Sequence, residues 1–539
     1  MAGLEPLAPE LVACLATPEA HPDDPDDGSH VAWVQTHISH VFLTRQRVYK
    51  LRKAVDLPFL HFATRAERDR DCLREVALNR RLAPDVYLGV APVVENESGY
   101  RVGRVAESLT PGAVEHCVVM RRLPVGRDAL SLLESGALGA PHLASVARVL
   151  ARFHAAHRLG PPPPWDRESW LARVAHPVRE NVDVMQGLAD GLDAAAVGLL
   201  GERAEAGLEG LANRLDGRRR RGRIVDGHGD LHLQHIWFEG GPETPLFIDC
   251  IEFNDELRCI DSASEVAFLA MDLGYRRRAD LAAAFLDAYA AEADDHDLFA
   301  VVDWYAAYRA AVRAKVAALA ASDPDIEAGQ RSGAAQSAER HLSFALSLLA
   351  TPAPGPLVVL CGTVGSGKSS AARALAQVSG GVVISSDRTR KHMAGVSPGA
   401  RAAAPPGEGL YTDERTDAVY AGLLERAESV LAAGRTAILD ATFSSARQRE
   451  RARAWAAGRG IRAWLVEVHC PADVARGRLE CRAAEGRDPS DAGPELLETS
   501  LARWEPPDEW PAGQRRALDT SEAHWPQRAA DLAREIAGP

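Results

Sequence analysis

Between residues 30 and 125 hydrophobic and polar positions alternate in short runs, HVFLTRQRVYKL, GVAPVV and HCVVMRRL, a period of two that predicts strands. One stretch among them, from about Ala66 to Leu82, changes to the helical period. The expected unit is an α+β lobe. From about 140 to 350 apolar positions recur every three or four residues, so helices are expected there. They are broken by the prolines at 161–164 and by a strand-and-loop centre from Gly227 to Asp261. The segment ATPAPGP, residues 350–356, ends the helical pattern, and its prolines and glycine mark the expected domain boundary. Beyond it the runs LVVLC, GVVISSD, TAILDATF and AWLVEVHC alternate with helical stretches, the order of a parallel sheet with crossover helices.

Composition narrows the class. The 539 residues exceed what one core organises, and 46% hydrophobic with 25% charged residues is a globular balance. A net charge of -13, from 62 basic and 75 acidic residues, gives the surface no general attraction to nucleic acid or anionic lipid. No run approaches membrane-spanning length, and the acidic start MAGLEPLAPELVACLATPEAHPDD lacks the order of a secretory signal. The eight cysteines are scattered without a CxxC pair, as reduced thiols would be, and a cytoplasmic location is expected. Only five of the 62 basic residues are lysines: Lys50, Lys53, Lys315, Lys368 and Lys391. In a chain that defaults to arginine, a retained lysine suggests a position that needs a compact ammonium.

One motif is specific. Gly362, Thr363, Val364, Gly365, Ser366, Gly367, Lys368 and Ser369 satisfy G-x-x-x-x-G-K-[ST], after an apolar strand and before a helix that opens with Ser369 and Ser370. Its backbone N–H groups would wrap phosphates, Lys368 would neutralise them, and the Ser369 hydroxyl would reach Mg²⁺. The next two strands end in Asp387 and Asp440, at the sheet edge facing the phosphates. Through GTVGSGKSS, SSDRTRK and LDATF, residues 357 to about 510 resemble the small P-loop kinases that include polynucleotide kinases, zeta toxins and gluconate-kinase-like enzymes. The resemblance implies Asp387 as the base for the acceptor hydroxyl, Arg390 as an acceptor ligand and Asp440 as support for the metal. Arg478 and Arg482, four apart, look like lid arginines, with a solvated helix face as the alternative; Arg487 is a weaker candidate.

A second constellation lies upstream. HGDLH at 228–232 and IDCIEF after it resemble the catalytic loops of aminoglycoside phosphotransferases and related protein-kinase-like enzymes, over roughly residues 30 to 320. That resemblance implies Asp230 as the acceptor-orienting acid, Asp249 as the metal-holding acid, and an upstream Lys–Glu pair. Lys50 with Glu75 supplies the pair, Lys53 falling at the strand end, and Met120 marks the strand and hinge against adenine. Where the family has a metal-binding asparagine, five positions after the catalytic acid, this chain has His235; Glu252 is a candidate to compensate. A rival reading places His228, His232 and His235 on one helix face as transition-metal ligands, against loop hydrogen bonding by His228 and His232. The run Arg218 to Arg221 would suit a phosphorylated substrate but ordinarily forms a solvated loop, and Lys315 reads as a helix-face charge.

The expected architecture is an α+β protein-kinase-like (aminoglycoside phosphotransferase-like) domain, residues 1–350, with a small lobe at about 30–125 and a helical lobe at about 126–350. An α/β P-loop domain with a parallel sheet follows at 357–539. The chain looks like the bacterial bifunctional aminoglycoside phosphotransferase/ATP-binding proteins. That implies ATP and Mg²⁺ as cofactors and hydroxyl groups of small molecules (a sugar, an aminoglycoside-like compound or a nucleoside) as acceptors, with no membrane partner. Two alternatives stay open: one domain as a nucleotide-sensing pseudoenzyme regulating the other, with His235 as its sequence support, or a polynucleotide or nucleotide-sugar kinase in the carboxyl half.

Overall fold

The computed structural model describes residues 4–24, 30–57, 60–97, 99–160, 163–188, 192–396, 412–485 and 493–538. Arg487 and the first two prolines of the 161–164 run fall outside them. The chain packs as two compact units. One comprises Met1–Ser145, Phe153–Pro164 and Arg219–Leu269; the other comprises Val146–Arg152, Trp165–Arg218 and Ala270–Pro539.

The first unit is built on a six-stranded antiparallel sheet, in the order Ala32–Gln35, Ser39–Leu43, Arg47–Arg52, Glu115–Arg121, Tyr87–Asn96, Gly99–Val102. Alternation along Arg47–Arg52 sorts its residues. Tyr49 and Leu51 enter a core with Phe42, Val93 and Val119, while Val48 packs on the opposite face against Cys72 and Val76 of the helix Arg65–Asn79. Lys50 and Arg52 share that opposite face. The helix starts where it does because Thr64 and Glu67 form a capping box, the Glu67 N–H donating to Thr64 Oγ1 at 3.3 Å and the Thr64 N–H to Glu67 Oε2 at 2.8 Å.

The second unit contains a five-stranded, wholly parallel sheet in the order Val382–Ser385, Ala437–Asp440, Leu357–Cys361, Ala463–His469, Arg515–Asp519. Val358, Leu360, Ile438, Val466 and Val468 bury one face against Leu375, Leu532 and Ile536. The fifth strand is absent from the sequence reading, because RRALD carries two arginines and lies at the sheet edge, where alternation is weak.

The opposite edge of that sheet is covered. The Val383 N–H donates to Asp287 Oδ1 at 2.8 Å, from the helix Ala279–Ala293. Nearby, Arg426 pairs with Asp294 through two 2.8 Å bonds, Arg435 pairs with Asp303 at 2.8 and 2.6 Å, and Arg388 lies 3.6 Å from Glu292. Burial pushes the Asp287 carboxyl up to about 7, against the opposing pull of the Val383 N–H and Arg388. Between pH 4 and 7 the folded chain therefore keeps a proton that the unfolded chain has released. This carboxyl lowers stability as pH rises through that window, by at most about 1.4 kcal/mol per pH unit. In calorimetric melting scans from pH 5 to 7.5, Asp287→Asn is expected to show a shallower fall in Tm than wild type; parallel slopes would remove Asp287 as the titrating group.

The Arg218–Arg221 run is corrected at its first member. Arg218, at the end of the helix Ala194–Arg220, is fully buried, and its guanidinium donates to both carboxylate oxygens of Asp295 at 2.7 and 2.8 Å. Sequence proximity to other arginines suggested solvent; the buried aspartate 77 residues on explains the arginine instead. Among the described residues no helix is long and apolar enough to cross a membrane.

Candidate active sites

In the first unit, Lys50 Nζ lies 3.0 Å from Glu75 Oε1 and 2.7 Å from Asp249 Oδ1. Glu75 is fully buried in mid-helix, where the turn geometry aims it at the sheet. Burial acts against the charged Lys50, yet Asp249 and Glu75 outweigh it and raise its pKa. Likewise burial alone would raise Asp249, but the Lys50 ammonium and His235 hold that carboxyl well below the usual carboxylate range. Asp249 has φ +63, a conformation that costs a non-glycine residue about 1–3 kcal/mol. Its surroundings enforce it: the Asp249 N–H donates to the buried Tyr87 hydroxyl at 3.0 Å, and the Cys250 N–H to Asn79 Oδ1 at 2.8 Å. Met120 is buried with Val118 and Leu123, and Val48, Trp237 and Ile248 pack against them. Lys53, just beyond the strand end, donates to Gln35 at 3.0 Å and takes no part in this cluster.

The HGDLH segment is a loop between the strands Ile224–Asp226 and Ile236–Phe238. Glu265 shapes it from below, accepting the N–H groups of His228 at 2.5 Å and Gly229 at 3.1 Å. Although burial opposes its charge, His154 and His228 bring the Glu265 carboxyl down to about 2. A Cβ on Gly227 would stand 1.7 Å from Glu265 Oε2, so the glycine is obligatory. Gly227→Ala is expected to displace the loop by an ångström or so and cost about 10²-fold in kcat of any reaction that the loop positions; an unchanged kcat would separate loop position from turnover.

The three histidines do not share a helix face, which corrects the transition-metal triad. His228 is fully buried; its Nε2 donates to Ile248 O at 2.8 Å and its Nδ1 accepts the Asp230 N–H at 3.3 Å. Desolvation holds it neutral, with a pKa of about 4. His232 caps the short turn Leu233–His235 by accepting the Gln234 N–H. Asp230, His232 and His235 do bring donor atoms within 4.8 Å of one another, and His235 Nε2 faces Asp249 Oδ2 at 3.5 Å. Glu252, the candidate to compensate for His235, is instead buried against Arg52.

Sequence reasoning missed Arg52. Fully buried, it donates to Asp71 at 2.6 Å, Glu75 at 2.5 Å and Ser39 at 2.9 Å, and also pairs with Glu252. Glu75 is thus shared between Lys50 and Arg52. The available signal was spacing, since residues 50 and 52 of one strand face the same way.

In the second unit, the loop Gly362–Gly367 joins the strand Leu357–Cys361 to the helix Lys368–Ser379. Gly362 has φ +150, and a Cβ there would lie 2.1 Å from Val468 O. Lys368 Nζ donates to Gly362 O at 3.1 Å and Thr363 O at 2.7 Å. Burial lowers its pKa, partly offset by Asp440 and Asp387. Asp440 is buried at its strand end, hydrogen-bonded to Ser369, and burial raises its pKa. Ser369 and Asp440 therefore form an oxygen-only donor pair, which suits Mg²⁺. Asp387 opens the helix Ser386–Met393 directly after the edge strand, and Arg390 on that helix reaches Thr416 Oγ1 at 3.4 Å. Arg478 is anchored at the loop, donating to Thr520 Oγ1 and O at 2.8 Å each, and Arg482 acts electrostatically on Lys368.

Comparisons with known proteins agree with the two expected domains. Residues 44–305 match the model of the phosphotransferase enzyme family, and residues 357–507 match an AAA domain. Uncharacterised proteins of Mycobacterium tuberculosis (strain H37Rv) and Mycobacterium bovis are 34% identical over 515 residues, covering 94% of this chain and 95% of theirs. The chain belongs to their family. It is a phosphotransferase-family domain followed by a P-loop kinase domain. Among solved structures, a choline/ethanolamine kinase family protein from Mesorhizobium loti covers 63% of this chain and 98% of its own at 15% identity and TM-score 0.35. A gluconokinase from Sinorhizobium meliloti covers 34% and 95% at 23% identity and TM-score 0.25. One chain thus joins two kinase-family domains.

Proposed function

We propose that both domains are ATP-dependent kinases, each transferring the γ-phosphoryl group to a hydroxyl of a small molecule, a sugar, an aminoglycoside-like compound or a nucleoside. The functional division lies at residues 350–356. The observation that carries the reading is the convergence of Lys50, Glu75 and Asp249 within 3.0 Å contacts beside the Asp230 loop. The P-loop domain pairs Lys368 and Ser369 with Asp440 and Asp387. When bound, MgATP supplies the phosphoryl group and neutralises its charge.

In the phosphotransferase-family domain Lys50, held by Glu75, binds the nucleotide phosphates. Asp230 orients the acceptor hydroxyl and receives its proton, flanked by His232 and His235 at 3.5 Å from its Oδ2. In the P-loop domain Gly362 to Ser370 cradle phosphates, Lys368 neutralises them, Asp387 takes the acceptor proton, Arg390 binds the acceptor, and Arg478 and Arg482 flank the phosphate loop. Eight free cysteines support a reducing, cytoplasmic setting.

Transfer of labelled γ-phosphate into a pooled library of sugars, aminoglycosides, nucleosides and oligonucleotides tests this. Asp230→Asn and Asp387→Asn are each expected to remove a different labelled product. Loss with Asp387→Asn alone would make the first domain a nucleotide sensor, and labelled oligonucleotides would move the second domain to the polynucleotide kinases.

A further inference from the structure

The donor set around His235 does not suit a hard ion, and the hydrogen bonds of the loop say which ion it does suit. His235 Nδ1 lies 2.9 Å from the Asp230 carbonyl oxygen, which can only accept, so this nitrogen carries the proton. In neutral imidazole the lone pair is then on Nε2. That atom faces Asp249 Oδ2 at 3.5 Å, while the other oxygen of Asp249 is engaged by Lys50 at 2.7 Å. Two electron-pair donors confront each other at a separation too long for a good hydrogen bond. It is close to the span of two metal–ligand bonds of about 2.1 Å meeting on one ion.

Neither neighbouring histidine competes for this role. His228 uses both ring nitrogens within the loop, and His232 accepts the Gln234 N–H on Nδ1, which leaves its Nε2 protonated towards Asp230. Only His235 among the three presents a bare nitrogen to an acid. Mg²⁺ takes oxygen ligands and gives up water reluctantly, whereas Mn²⁺, Co²⁺ and Zn²⁺ accept imidazole together with carboxylate.

We propose that His235 and Asp249 hold a first-row transition-metal ion, in preference to Mg²⁺, at the nucleotide phosphates of the phosphotransferase-family domain. The proposal rests on the reading of that domain as nucleotide-binding. It makes the chain a two-metal-class protein: the oxygen pair Ser369 and Asp440 keeps Mg²⁺ in the P-loop domain, while the nitrogen–oxygen pair selects a softer ion upstream.

The experiment uses the full chain with Mn²⁺ and a non-hydrolysable ATP analogue, read by pulsed electron paramagnetic resonance. Mn²⁺ in the P-loop domain meets only oxygen from Ser369 and Asp440, so a ¹⁴N-imidazole coupling reports the upstream site alone. The coupling is expected in wild type and lost in His235→Asn, whose preference for Mn²⁺ over Mg²⁺ in competition falls roughly tenfold or more. Should His235→Asn fail to fold by circular dichroism, Asp249→Asn decides, since it keeps the imidazole and is expected to lose the coupling. Mn²⁺ bound without nitrogen coupling in wild type, or coupling that survives both substitutions, overturns the proposal. Coupling without any phosphoryl transfer that Asp230→Asn removes, under either ion, overturns the kinase reading of that domain and leaves the ion assignment standing; Asp230-dependent transfer under Mg²⁺ with no coupling does the reverse.

Discussion

Asp230→Asn is expected to lower kcat for the amino-terminal transfer by about 10²–10⁴-fold, the range of a lost general base, while the KM for ATP stays within about threefold. The separation follows from where the atoms lie. The carboxylate sits among His232 and His235, half-exposed, whereas Lys50, Glu75 and Asp249, the charges proposed to face the nucleotide, form their own contacts. Asparagine keeps the side-chain size, and the loop is held through the backbone of residue 230, whose N–H donates to His228 and whose carbonyl accepts from His235. Steady-state kinetics with the acceptor found by labelling checks it. A tenfold rise in the KM for ATP at unchanged kcat would place Asp230 on the nucleotide side.

Arg52→Met is expected to destabilise the first unit by about 3–5 kcal/mol, the cost of leaving buried charges without their partner. Three carboxylates converge on that one guanidinium, from Asp71, Glu75 and Glu252, and all are buried. Burial already raises Asp71 and Glu252, with Arg52 pulling against it. Without Arg52 their folded pKa values climb further, so protons are retained in the folded state and released on unfolding. Stability of the variant therefore falls as pH rises, and its deficit in urea unfolding should be larger at pH 8 than at pH 5.5. A pH-independent deficit would point to lost packing of the arginine stem instead. Glu75 would also lose its second anchor, so a fall in nucleotide affinity should accompany the lost stability.

Much of the architecture was readable in advance, for identifiable reasons. Period-two alternation located the strands that carry Lys50 and Met120, and the glycine–lysine motif between a strand and a helix located the phosphate loop, because both signals are local. Lysine scarcity pointed to Lys50 and Lys368, and the structure surrounds both with carboxylates. The unread residues share a different property: their partners are remote in sequence. Arg52 meets Glu252 200 residues away, Arg218 meets Asp295 77 residues away, and His228 meets Glu265 37 residues away. In a chain with 57 arginines among 62 basic residues, an arginine in a salt-bridged core is indistinguishable by type from one in water. Glu265 left a fainter trace, an acid near the start of the apolar helix Ser262–Tyr275, which the aim of that helix at the HGDLH loop explains.

The covered edge of the parallel sheet bears on how such a protein can be cut or inherited. Asp287, Glu292, Asp294 and Asp303 come from the stretch that matches the phosphotransferase enzyme family, yet Asp287 caps the strand Val382–Ser385 and the other three pair with Arg388, Arg426 and Arg435 of the P-loop domain. A P-loop fragment starting at Leu357 would bare a strand edge and strand three arginines, an invitation to intermolecular β-pairing. The proline-rich joint is thus a seam in the sequence and not in the packing. Gene fission there would yield a second protein that must first evolve a new flank, which gives the fusion a physical reason to persist.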